Sequence, residues 1–181
     1  MVSVKYFYDT EFIEDGRTID LISIGIVADD GREFYSVSSE FSLAKLHANK
    51  WLVDNVLPYL PIKQHPPGVR CRCFHGHLDT DNPTVRSRAQ IARVVQEFLL
   101  SGDGQPELWA WYAAYDHVAL CQLWGTMMDL PDGIPMYTND LKQECDRLGN
   151  PPLPEQELCE HNALADARQN LVRAKALGLV S

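Results

Sequence analysis

The apolar run from Val4 to Phe12 carries Asp9-Thr10-Glu11 at its end, and this pair of acids constrains the chain more than any other feature. Side chains alternate along an extended strand, so Phe7, Asp9 and Glu11 share one face while Tyr6 and Tyr8 take the other. Two carboxylates aimed at a sheet interior carry a heavy desolvation penalty unless something neutralises them, and a divalent cation is the simplest partner. A strand end at which both acids reach water is the plainer account of a lone D-x-E. What shifts the balance lies further along.

The next segments read as an antiparallel meander. Asp20 to Ala28 is strand-like, with Ile22, Ile24 and Ile26 on one face and Leu21, Ser23, Gly25 and Val27 on the other, so it belongs inside a sheet. Asp15-Gly16 and Asp29-Asp30-Gly31 mark turns on either side, and Glu33 to Ser38 continues as a third strand. Leu43 to Leu57 has a helical pattern ended by Pro58 and Pro61. From there to Asn82 periodicity is lost around Pro66-Pro67-Gly68, which predicts a long loop. Within it, Cys71, Cys73, His75 and His77 alternate as zinc-type ligands. Ligands at adjacent alternate positions wrap a tetrahedral ion poorly, so an incidental loop or hairpin is preferred over structural zinc.

Asn82-Pro83 is expected to open a helix whose buried stripe is Ile91, Val94, Val95, Phe98 and Leu99, stopped at Gly102. Arg86, Arg88 and Arg93 fall outside the stripe, either on a solvated face or as phosphate contacts. Glu107 to Tyr112 is a fourth strand leading into a helix from about Tyr115 to Trp124. Asp116 thus sits in a first helical turn just beyond a strand's carboxyl end, where open α/β sheets bind ligands, although an acid there also simply balances the helix dipole. Asn139 to Leu148 is a short helix, prolines 151, 152 and 154 mark a rigid loop, and Asn162 to Leu177 is the last helix. His161 and Asp166 are five apart. On one continuous helix they would diverge by about 140°, so they converge only if His161 belongs to the loop ahead of the helix.

Composition narrows the setting. At 181 residues with 45% apolar content the chain fits one globular domain, 1–181. No apolar run approaches a membrane span, and the N-terminus lacks the pattern of a signal peptide. Five scattered cysteines, an odd number, suit a reducing compartment. A cytoplasmic protein is expected. The net charge of −9 argues against indiscriminate binding to a phosphate backbone, but leaves room for an enzyme that meets the phosphate through metal ions.

Asp9-Thr10-Glu11, Asp116 at a strand-to-helix junction, and His161 with Asp166 at the final helix together resemble the three motifs of the DEDDh 3'-5' exonucleases. The runs from Tyr6 to Gly16, Leu108 to Trp111 and Tyr115 to Leu120 look close to an actinobacterial RNase T-like exoribonuclease group. The likeness spans residues 4 to about 175. It implies an α/β fold with an RNase H-like mixed sheet, the three-strand meander joined by parallel strands and flanked by helices, and it makes the loop at about 61–82 an insertion. It also implies two Mg²⁺ or Mn²⁺ ions held by Asp9, Glu11, Asp116 and Asp166, with His161 as general base. Carboxylates suit such hard cations, and imidazole exchanges protons near neutral pH. Phe12, directly after the metal pair, would either stack on a terminal base or pack in the core, Arg86 and Arg88 are candidates to touch the RNA, and the likeness implies a homodimer acting on single-stranded RNA 3' ends or 3' overhangs. One departure is Ala113, where many relatives carry Asn. The motifs leave open a DNA substrate, or a non-catalytic nucleic-acid or protein-binding module on the same fold.

Overall fold

The computed structural model describes residues 3–65, 76–157 and 159–180. β1 (Ser3–Glu14) pairs antiparallel with β2 (Ile19–Ala28), which pairs antiparallel with β3 (Glu33–Ser38). The expected meander is present, and Asp15 shapes its first turn by accepting the amides of Arg17 and Thr18. One detail differs. The β1–β2 register shifts between Glu11 and Phe12, whose partners are Ser23 and Leu21. The bulge re-phases the alternation, so Leu21 joins Ile24 and Ile26 in one core cluster while Ile22 belongs to another.

The helix expected over 43–57 is divided into α1 (Leu43–Ala48) and α2 (Lys50–Asn55), followed by one tight turn. Asn49 both ends α1 and caps α2, its side chain accepting from the amides of Trp51 and Leu52. The described flanks of the 61–82 loop are partly ordered, with β4 (Ile62–Lys63) antiparallel to β5 (His77–Leu78). Of the four zinc-type residues only His77 is described; Cys71, Cys73 and His75 lie outside the described residues. The helix expected from Asn82 begins later. Asn82 instead accepts bonds from Thr84, Val85–Arg86 form β6 beside β3, and Ser87 caps α3 (Arg88–Leu100) in a box with Gln90.

β7 (Gln105–Ala110) lies parallel to β1, and α4 (Ala114–Cys121) follows it after a turn at Trp111 and Tyr112. β8 (Asn139–Asp140) pairs with β7 and leads into α5 (Leu141–Arg147), while α6 (Ala163–Ala176) ends the described fold. The sheet order β6-β3-β2-β1-β7-β8, with only β2 antiparallel to its neighbours, is the expected RNase H-like mixed sheet. Helices cover both faces. On one, Tyr6, Tyr8, Ile24 and Ile26 pack with Ile91, Val95 and Leu99 of α3 and Leu120 of α4. On the other, Phe7 and Trp109 meet Leu141 and Ala174. Among the described residues no helix is long and apolar enough to cross a membrane.

Candidate active site

β1 is longer than the parallel strand beside it. Pairing with β7 stops at Phe7 and Trp109, so from Tyr8 onward β1 has an open edge at the carboxyl end of β7. The two acids stand on that stretch. Asp9 is half-buried and Glu11 buried, and among the described residues neither carboxylate has a hydrogen-bond or ion-pair partner.

Asp116 reaches this edge from α4. Its Oδ1 accepts both the backbone N–H and the hydroxyl of Thr10, at 2.9 and 2.6 Å. The carboxylate thus takes the amide that β7 no longer meets, and Thr10, between the two acids, fixes the third. Ala113 is buried, and its N–H donates to Asp140 Oδ2 at 3.0 Å. In this chain the position secures the strand-to-helix junction.

Asp166 and His161 arrive with α6. Asn162 caps the helix, accepting from Ala165 N–H at 3.0 Å, and His161 lies in the turn ahead of it with a left-handed φ of 67°. The expected placement in a loop is met, and the chain reverses so that His161 N–H donates to Asp166 Oδ2 at 2.9 Å. Gln156 Nε2 donates to the other oxygen at 2.6 Å, while the imidazole rests edge-on against Trp51, centroids 4.6 Å apart. Gly25 makes this docking possible. A Cβ there would collide with the Ala163 carbonyl and Leu164 Cα, so a glycine opposite Asp9 in the register lets the start of α6 lie against β2.

Asp9, Glu11, Asp116, His161 and Asp166 line one cleft of about 340 Å³, with Phe12, Trp51, Trp111, Tyr112 and Tyr115 as aromatic walls. One ligand atom each from Glu11, His161 and Asp166 lies within 4.8 Å of the others; Asp9 and Asp116 stand outside that trio. The charges are unfavourable as they are. Burial, then the charges of Asp166 and Asp116, pushes Glu11 up to about 8. Burial, then Asp116, Glu11 and Asp166, raises Asp9 well above the carboxylate range. Asp116 rises to about 6 through burial, against the hydrogen bonds from Thr10, and burial raises Asp166. Crowded carboxylates with no ion pair among the described residues, and with Arg173 alone near Asp9 and Asp166 to offset them beside His161, fit a divalent cation, which would restore their ionised forms.

Phe12 lines the cleft and stacks on Tyr115, centroids 6.0 Å apart and planes 12° from parallel. The two arginines expected at the strand are elsewhere. Arg86 Nη1 donates to Ser36 Oγ at 3.0 Å beneath the Phe34 ring, and Arg88 pairs with Asp20 at 3.6 Å; neither lines the cleft. Arg86 belongs to β6 at the sheet edge, and Arg88 opens α3 against Asp20 of β2. The residues that spacing passed over are Thr10, Gly25, Trp51 and Gln156. Only Gly25, inside an isoleucine-rich strand, left a trace in the sequence.

Comparison with known proteins follows the same residues. Residues 4–177 match the 3'-5' exoribonuclease Rv2179c-like domain. Two curated relatives from Mycobacterium tuberculosis, the 3'-5' exoribonuclease MT2234.1 of strain CDC 1551 / Oshkosh and the 3'-5' exoribonuclease Rv2179c of strain H37Rv, are each 47% identical over 175 residues, covering 96% of this chain and 93% of theirs. Among solved structures, S. pombe Pop2p in its Mg²⁺- and Mn²⁺-bound form aligns at 10% identity and TM-score 0.47, over 95% of this chain and 82% of that one. A chain from the yeast NOT1 MIF4G domain co-crystallised with CAF1 aligns at 12% and 0.44, over 98% and 80%. Likeness this slight carries no functional weight; the sequence match, running through every motif of the cleft, places the chain in the Rv2179c-like 3'-5' exoribonuclease domain family.

Proposed function

We propose that the protein is a DEDDh-type, RNase T-like 3'-5' exoribonuclease that removes nucleotides from single-stranded RNA ends or 3' overhangs. The observation that carries this is the gathering of Asp9, Glu11, Asp116, His161 and Asp166 in one cleft, with Asp9 and Glu11 unpartnered among the described residues, in a chain of that family. Residues 1–181 then act as one exonuclease domain with an insertion at about 61–82.

Two Mg²⁺ or Mn²⁺ ions, when bound, would polarise the scissile phosphate and ease deprotonation of the attacking water. Asp9 would be shared between them, Glu11 and Asp166 would hold one, and Asp116 would support the other. Thr10 keeps Asp116 Oδ1 occupied and so presents Oδ2 for that role. Gln156 and the His161 amide fix Asp166 from both sides. His161, held against Trp51, takes the proton of the attacking water. The water oxygen bonds to phosphorus, the bond from phosphorus to the upstream 3'-oxygen breaks, and that oxygen leaves and takes up a proton. A nucleoside 5'-monophosphate is released, and Phe12 with Tyr115 offers a stacking surface for its base.

The reading includes cytoplasmic action as a homodimer, in which a partner's basic residues assist an acidic chain; a monomeric mass by light scattering at micromolar concentration removes that part. The reaction itself is tested with a 5'-labelled single-stranded RNA in Mg²⁺, Mn²⁺ or EDTA, beside Asp166→Asn protein and a matching DNA. A metal-dependent ladder shortening from the 3' end, absent in the variant, is expected. Intact RNA under every condition sinks the reading, and shortening of DNA alone makes the protein a DNA exonuclease.

A further inference from the structure

A second cavity of about 210 Å³ shares Asp9, Trp111, His161 and Asp166 with the cleft and adds Gln156, Glu160 and Arg173. Arg173 is the one basic side chain lining either cavity among the described residues, apart from the imidazole of His161. Its guanidinium lies over the Trp111 ring, 4.4 Å from the centroid, and Nη1 donates to Asn170 Oδ1 at 3.0 Å. Asn170 is itself buried and anchored by donating Nδ2 to the Tyr8 carbonyl at 3.1 Å. The arginine is therefore set in place by an aromatic face and a buried amide. Among the described residues it has no ion pair, and its Nε and Nη2 have no hydrogen-bond partner.

The charge of Arg173 now faces Asp166, Asp9 and Glu160 across the cavity. Cations bound to Asp9 and Asp166 would satisfy those two carboxylates and leave only the solvent-exposed Glu160 facing the guanidinium. A planar fork held against a ring suits a phosphate oxygen pair. The two cavities also flank the carboxylates. If the 3'-terminal nucleoside occupies the aromatic cleft and the scissile phosphate meets the acids, the second cavity, which shares Asp9 and Asp166 with the first, is where the strand would continue, and the next phosphate there would be the internucleotide linkage upstream.

We propose that the Arg173–Trp111 cavity is a binding subsite for the phosphodiester immediately upstream of the scissile one. The inference rests on the exoribonuclease reading and gives Arg173 a role in holding the strand. The test is binding, read by fluorescence anisotropy of a labelled single-stranded RNA in Ca²⁺, for wild type, Arg173→Gln and Arg173→Lys, with melting temperatures checked. Arg173→Gln is expected to weaken binding about tenfold regardless of base sequence, and to reduce the slope of log affinity against log salt by about 0.7. A neutral methylphosphonate at the second linkage from the 3' end should weaken wild type equally and Arg173→Gln no further. Additive losses, or an unchanged salt slope, overturn the subsite while leaving the nuclease intact. If Arg173→Gln does not fold, Arg173→Lys carries the test: it must bind more weakly than wild type and lose part of its sensitivity to the methylphosphonate. Wild type that neither binds nor shortens RNA overturns both the subsite and the exoribonuclease reading.

Discussion

Asp9-Thr10-Glu11 and Asp79-Thr80-Asp81 are nearly the same tripeptide with opposite fates. The second lies beside the β4–β5 pair, where Lys63 bridges both acids at 2.6 and 2.7 Å and holds the Asp79 carboxyl below its usual range. Thr80 is exposed, whereas Thr10 is buried and bonded to Asp116. Asp9 and Glu11 have no such lysine, and burial drives their carboxyls upward. A pair of acids at alternate positions therefore says little about chemistry. What makes one pair a candidate site is removal from water with the counter-charge left for something else to supply.

The most severe way to break this contrast is to neutralise one acid from each pair. Asp9→Asn should lower kcat at least about 100-fold, more than the usual loss from an outer partner of a metal ligand, and reduce the rise in Tm on adding Mg²⁺. Asp79→Asn should leave kcat and the metal response unchanged. Equal effects in calorimetry and turnover would erase the distinction.

Gly25→Ala probes the approach of α6. Its Cβ meets backbone of Ala163 and Leu164, which cannot swing aside like a side chain, so an overpacking cost of about 1–3 kcal/mol is expected. Thermal unfolding would register that cost, and activity should fall because Asp166 moves with the helix. A variant of wild-type stability and activity would show that α6 is docked some other way. Thr10→Val keeps the amide bond to Asp116 but removes the hydroxyl bond. About a tenfold loss in kcat is expected, with little change in Tm; the matching Thr80→Val should do nothing.

The last effect is a slope in stability rather than a loss of activity. Folding raises the Glu11 carboxyl from its ordinary 4.5 to about 8, so across that range the folded protein binds the proton more tightly than the unfolded chain. Metal-free stability should therefore fall as pH rises between those values, and the decline should flatten in Glu11→Gln. The Asp79 contribution runs the other way, present at neutral pH and lost as pH falls through the folded carboxyl's range. Unfolding midpoints measured in EDTA across pH would separate the two, and a metal-free protein whose stability rises steadily from pH 5 to 8, by a sign opposite to linkage at Glu11, would contradict the burial account.

Local pattern carried much of this molecule. The meander, β7, α4, α6 and the placement of His161 in a turn were legible because alternation, helical stripes, proline and capping residues act over a few neighbouring positions. The convergence of the four carboxylates and the imidazole on one cleft was legible through their order and setting. The division at Asn49, the start of α3 at Ser87 and the bulge beside Glu11 were not. Asn49 and Ser87 are caps inside stretches whose periodicity continues across them, and a bulge changes register without changing composition.

Other facts depended on partners far away in the chain. Thr10 grips Asp116 across a separation of 106 residues, and Asn170 holds the Tyr8 carbonyl across 162. Arg86 belongs to the sheet edge because β6 pairs with β3, and Arg88 is held by Asp20 of β2, contacts no nearby residue announces. Which residue types stand ready for metal chemistry follows from the order of amino acids, since charge and proton affinity belong to the side chain. Which acids lose their water, which keep a lysine, and which arginine is left facing the site follow from folding, because desolvation and counter-charge exist only once distant segments meet.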